Sequence, residues 1–105
     1  MNTSSISFDA VLENLQGQQI LFLQDDQIKN HLGPVISEIE GNQLINLQGQ
    51  AIARITGNTI QNLQGQTLGI IEENQLLNHR GQVIMNISGI DSKDFIKVAA
   101  FYFFL

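Results

Sequence analysis

A five-residue phrase, Asn-Leu-Gln-Gly-Gln, occurs three times, at Asn14–Gln18, Asn46–Gln50 and Asn62–Gln66. Looser copies stand at Asn30-His31-Leu32-Gly33-Pro34 and Asn78-His79-Arg80-Gly81-Gln82. The asparagines fall at 14, 30, 46, 62 and 78, and the glycines at 17, 33, 49, 65 and 81. A period of 16, held five times without an insertion, restricts the chain to a repeat architecture. Each unit divides into halves of eight. One half ends at the glycine just named. The other ends at a second turn: Gln24-Asp25-Asp26, Glu40-Gly41-Asn42, Thr56-Gly57-Asn58, Glu72-Glu73-Asn74 and Ser88-Gly89. Gly, Asn and Asp tolerate the positive φ of tight turns. The runs between turns, such as Ala51-Ile52-Ala53-Arg54-Ile55, are too short for helices and rich in Ile, as strands are.

The spacing predicts strands near 11–15, 18–23, 27–32, 35–39, 43–47, 50–55, 59–63, 66–71, 75–79 and 82–88, with a weak extra strand through Ser5 to Phe8. Apolar positions three apart, such as Ile52 and Ile55 or Ile60 and Leu63, do not fit regular alternation. Either a bulge corrects the alternation, or one residue faces inward and the other seals neighbouring hairpins together.

The segment Phe95–Leu105, FIKVAAFYFFL, carries one charge, Lys97, and five of the seven aromatic residues of the chain. It is apolar on every side and demands enclosure. Ten short antiparallel strands in an open sheet leave two hazardous edges. Hairpins arranged around an axis remove them. A barrel of ~8 strands is filled by its own side chains; ten leave a wider lumen, and the apolar tail is its candidate filling. Asp91 and Ser92 are expected as helix caps, with Asp94 in the first turn. The expected fold is therefore mainly β: a closed, shallow antiparallel barrel of five 16-residue hairpin repeats around a C-terminal hydrophobic α-helix. It forms one domain over 1–105, with 1–10 an arm or weak strand, 11–90 the repeats and 91–105 the core helix. Two alternatives stand beside it. The tail, rich in Phe and Tyr, suits a further β-strand. The repeats suit a two-sided β-solenoid with the five asparagines stacked as a ladder.

Hairpins of the form Asn-x-x-Gly-x-x-Ile followed by a short, very apolar C-terminal segment resemble the beta-flower proteins over about residues 11–105. The resemblance implies a small bacterial barrel of hairpin petals around a hydrophobic helix, here with five petals. It also implies an architecture similar to the tubby C-terminal barrel, whose relatives bind phosphoinositides or sit at membranes. No catalytic motif contributes to the resemblance.

The net charge of −5, with Lys29, Arg54, Arg80, Lys93 and Lys97 scattered, argues against nucleic acid. The basic patch that lipid headgroups attract is also missing from the sequence. The absence of cysteine excludes disulfides and thiolate metal sites. No signal peptide and no run of ~20 apolar residues is present, so the expected location is the cytoplasm, with peripheral membrane attachment compatible.

His31 and His79 occupy the place where other copies carry Leu15, Leu47 and Leu63; they read as substitutions at a semi-buried position, two petals apart and unable to share a metal. The acidic pairs Asp25-Asp26 and Glu72-Glu73 read as solvated turns rather than calcium or acid–base sites. No serine has a His and Asp partnership and no phosphate loop is present, so neither enzyme activity nor a cofactor is expected. Gln16, Gln48 and Gln64, with Leu32 and Arg80 at the matching sites, are expected around one rim. There, repeated side chains would suit a glycan by avidity. The expected function is that of a non-enzymatic structural or interaction module, at a membrane surface or with a protein partner; the alternative is a multivalent glycan-binding module.

Overall fold

The computed structural model describes residues 8–105. Ten strands follow in order: β1 (Ala10–Glu13), β2 (Gln19–Gln24), β3 (Gln27–Asn30), β4 (Val35–Glu40), β5 (Gln43–Ile45), β6 (Ala51–Thr56), β7 (Thr59–Gln61), β8 (Thr67–Glu72), β9 (Gln75–Asn78) and β10 (Val83–Gly89). Each pairs antiparallel with its neighbour in sequence, and β1 pairs with β10 to close the barrel. Closure in this antiparallel order excludes the two-sided solenoid, whose coils would stack parallel strands. It also excludes the tail as a strand. The expected strand at Ser5 to Phe8 lies, apart from Phe8, outside the described residues; Phe8 is not in a strand, and its ring lies 4.7 Å from that of Phe22.

The odd apolar spacing is resolved by bulges. Opposite the register shifts in β1, β3, β5, β7 and β9, one extra residue is inserted in the longer partner strand: Ile20, Ile36, Ile52, Leu68 and Ile84. These sit sixteen apart and are half-buried against the core. Each bulge flips the alternation, so that Ala53 and Ile55, two apart, both face the lumen while Ile52 is the inserted residue. For Ile60 and Leu63 the explanation differs: Ile60 is buried, whereas Leu63 lies beyond β7 in an exposed turn and seals nothing.

The strict asparagine closes its own turn rather than joining a ladder. The N–H groups of Gln64 and Gln66 donate to Asn62 Oδ1, both at 2.9 Å, and Asn62 Nδ2 donates to Gln66 Oε1 at 2.8 Å. The same set recurs at Asn14, Asn46 and Asn78. A short amide that satisfies two backbone donors is what an Asx-type turn requires. The glycine that follows adopts φ near +85°, a conformation that a Cβ disfavours.

The lumen is layered. Leu12, Ile28, Leu44, Ile60 and Leu76 form one fully buried ring. Leu21, Ser37, Ala53, Gly69 and Met85 form a second, uneven one, in which the Ser37 hydroxyl donates to the Ile45 carbonyl oxygen at 2.6 Å and so leaves no orphaned polar group. Into this lumen runs the tail, a 3₁₀ turn over Ser92–Asp94, helix α1 over Phe95–Ala100 and a second 3₁₀ turn over Phe101–Phe104. The core helix expected over 91–105 is therefore α-helical over only six residues. Asp91 alone caps its start, accepting from the Lys93 N–H at 3.1 Å; Ser92 is the first residue of the turn rather than a cap.

Enclosure of the tail is also incomplete. Ile96, Val98, Ala99 and Ala100 are buried, but Phe101 through Phe104 are half-buried and Leu105 is exposed. Length explains this. The helical rod measures ~23 Å from its rises per residue, whereas a six-residue strand spans ~20 Å before its tilt shortens the barrel further. The last turn thus reaches the mouth of the barrel. Phe103 is held there by the absence of a side chain at Gly69, where an added Cβ would stand 2.5 Å from the ring.

Candidate functional site

The hairpins place two unlike sets of turns at opposite ends of the barrel. One rim carries the five asparagine-led turns. The other carries Asp25-Asp26, Gly41-Asn42, Gly57-Asn58 and Glu73-Asn74, together with the β10–tail junction. Because β10 ends at the second rim, the tail enters there and runs back towards the first. Lys97 bonds Asp26 near the entry, and Phe103 lies under Gly69, nearer the other end.

Carboxylates are segregated between the rims. Asp9, Asp25, Asp26, Glu40, Glu72, Glu73, Asp91 and Asp94 lie at the tail-entry rim, leaving only Glu13 and Glu38 of the chain's ten acidic residues elsewhere. The asparagine rim has none within its turns. It carries Arg80, His31 and His79, and four exposed leucines, Leu15, Leu32, Leu47 and Leu63, between 43% and 76% exposed. The two histidines are themselves exposed, as are Leu15, Leu47 and Leu63, so the semi-burial expected of this position is wrong. The turn lifts the side chain away from the sheet, and no element among the described residues covers it.

Gln16, Gln48, Gln64, Leu32 and Arg80 stand at equivalent turn tips on this same rim, all exposed. Their N–H groups are held by the turn asparagine at 2.9–3.0 Å, and their side chains make no hydrogen bond among the described residues. Gln18, Gln50, Gln66 and Gln82, by contrast, are bound to their asparagines. Among the described residues, no three His, Asp or Glu side chains gather as a metal site, and no helix is long and apolar enough to cross a membrane. Asp25, Asp26 and Glu73 adopt positive φ, between 53° and 61°, so the acidic pairs do occupy turn positions.

At the opposite rim the tail is tied down on one side. Lys97 Nζ donates to Asp26 Oδ1 at 3.0 Å and lies 3.3 Å from Asp94 Oδ1. The hydrogen bond that Lys97 donates to Asp26 is the main cause that raises its ammonium above the ordinary 10.5, partial burial opposing it. On the other side a cavity of about 290 Å³ remains between the first tail turn and the Gly41-Asn42 and Gly57-Asn58 turns. Ile55, Ile71 and Ile96 form its floor. The equivalents of the first two, Leu23, Ile39 and Ile87, are buried, whereas Ile55 and Ile71 are only half so.

The rim of Gln16, Gln48, Gln64, Leu32 and Arg80 was legible in the sequence; the segregation of charge between the two rims was not, because it shows only in position within the repeat. Taken modulo sixteen, the carboxylates collect in the half-units that end at the acidic turns, and the leucines in the other.

No curated protein and no solved structure is significantly similar to the chain. The sequence model of the 5-fold beta-flower proteins does match it, over residues 2–105. Five hairpin units closed into one ring agree with a five-fold description. The chain belongs to the 5-fold beta-flower protein family.

Proposed function

We propose that the barrel is a non-enzymatic interaction module that rests against a lipid surface through its asparagine rim. The observation that supports this is the segregation of charge along the barrel axis: the end that exposes four leucines also holds Arg80 and two histidines and has no carboxylate in its turns. Leucines inserted at the level of the headgroups gain from burial, and Arg80 gains from anionic lipid. The opposite, acidic rim is repelled by the same surface, which fixes orientation. The half-buried Phe101–Phe104 at the mouth extend the apolar face inward from the leucines.

Flotation with vesicles of neutral phosphatidylcholine, with and without anionic phosphatidylglycerol, tests the reading. Co-flotation that rises with anionic lipid and is lost in the Leu32→Asp, Leu47→Asp double variant is the expected result. Association with neither vesicle sinks it, as does a dimer in analytical ultracentrifugation that the same variant dissociates. A second reading is favoured by the unbonded side-chain amides at the tips: a glycan held by Gln16, Gln48 and Gln64 with Arg80. On a glycan array, binding that disappears in Gln48→Ala, Gln64→Ala, with vesicle binding absent, selects it.

A further inference from the structure

The cavity at the acidic rim is lined unlike the rim around it. Four carboxylates crowd the neighbouring turns at Asp25, Asp26, Glu72 and Glu73, yet none lines the cavity. The two turns that border it are the two that read Gly-Asn, and Gly41 and Gly57 present no side chain to its mouth. The polar residues that remain there are Asn42, Asn58, Ser92, Lys93 and Lys97, the last with its ammonium turned to Asp26 and Asp94. Asn58 Nδ2 is engaged with the Ile71 carbonyl oxygen at 3.1 Å, which holds that side chain at the mouth. Below lie only the three isoleucines.

The two lysines are not equivalent. Lys97 is committed between Asp26 and Asp94, with its side chain 23% exposed. Lys93 is 74% exposed, and its one partner among the described residues, Asp91, is at 3.8 Å and itself exposed, so its ammonium exchanges partners at little cost.

We infer that this cavity is a binding site for a small amphiphilic acid, with an aliphatic chain on Ile55, Ile71 and Ile96 and a carboxylate at Lys93 and the Asn42 and Asn58 amides. Pockets that bind small molecules combine an apolar floor with a few placed polar groups and begin near this size. An apolar cavity of ~150 Å³ accommodates benzene, so the present volume suits a chain of ~8 carbons. The site lies at the opposite end of the barrel from the lipid-facing rim, and neither proposal depends on the other.

Sodium octanoate, titrated below its micelle concentration into the ¹⁵N-labelled protein, tests the assignment. Saturable shifts are expected at the amides of residues 41–42, 55–58, 71 and 92–97, without shifts at Leu15 or Leu47. Octanol, which lacks the charge, binds about fivefold more weakly, and so does octanoate to Lys93→Gln, the amount that one exposed ion pair contributes. Ile55→Trp, which fills the floor, abolishes the shifts. Butanoate, which needs no variant, binds far more weakly because it leaves the floor uncovered. The inference is overturned by shifts spread over both rims, by no shift in the tail-entry turns, or by octanol and Lys93→Gln matching the parent titration.

Discussion

The repeat supplies its own control for the energetics of the asparagine turns. In four of the five, the asparagine Oδ1 accepts from the N–H groups two and four residues on. At Asn30 the second donor does not exist, because residue 34 is proline, and only the Leu32 N–H at 2.9 Å remains. The amide–amide bond made by Asn62 to Gln66 has no counterpart there either. Each such exposed bond contributes ~0.5–1 kcal/mol net. Asn62→Ala therefore removes two backbone bonds and one side-chain bond and costs ~1.5–3 kcal/mol, while Asn30→Ala removes one and costs ~0.5–1. The difference, ~1–2 kcal/mol, corresponds to a gap of ~4–8 °C in Tm for each kcal/mol in a domain of this size. Paired thermal and urea unfolding followed by circular dichroism measures it. Equal losses in the two variants would refute the bond-by-bond account and leave backbone conformational preference as the cause of the strict asparagine.

Three further outcomes follow from particular contacts. Gly89→Ala places a Cβ against the Asp9 carbonyl oxygen and 2.9 Å from Ala10 Cα at the β1–β10 seam; backbone atoms cannot rotate aside, so urea unfolding should show a loss of ~2–4 kcal/mol, and a change under ~0.5 contradicts the closure. Because the folded-state Lys97 value is raised, its stabilisation is present below the unfolded value of 10.5 and is lost as pH climbs through the higher folded value. Melting temperatures should therefore fall more steeply above pH 10.5 in the parent than in Lys97→Met, and parallel profiles would remove Lys97 from the account. Truncation after Asp94 strips the lumen of Ile96, Val98, Ala99 and Ala100 and should yield an unfolded or aggregated chain by size-exclusion chromatography; a folded monomer would show that the ring stands without its filling.

The period of sixteen, the antiparallel strands and the need for an enclosed tail were legible in residues alone, because turn chemistry and apolar patterning are local. All ten strands were located within a few residues for that reason. The bulge was legible as a conflict, Ile52 against Ile55, but its resolution needed the partner strand, since an inserted residue is defined by what it fails to pair with.

What the chain order could not convey is everything that depends on closing the ring. Whether Leu63 is covered depends on what lies above a turn, and no described residue seals it: it is 43% exposed. Whether Phe101–Phe104 are sealed depends on the barrel's height against the rod's length, and the rod is longer. The segregation of eight carboxylates from four exposed leucines was written in the sequence as repeat phase, yet it became an axis only when alternate turns were sent to opposite ends. The cavity belongs wholly to the tertiary structure. A rod fastened at Asp26 by one lysine leaves space over two turns without side chains at their glycines, and no periodicity in the sequence encodes where a rod will lean.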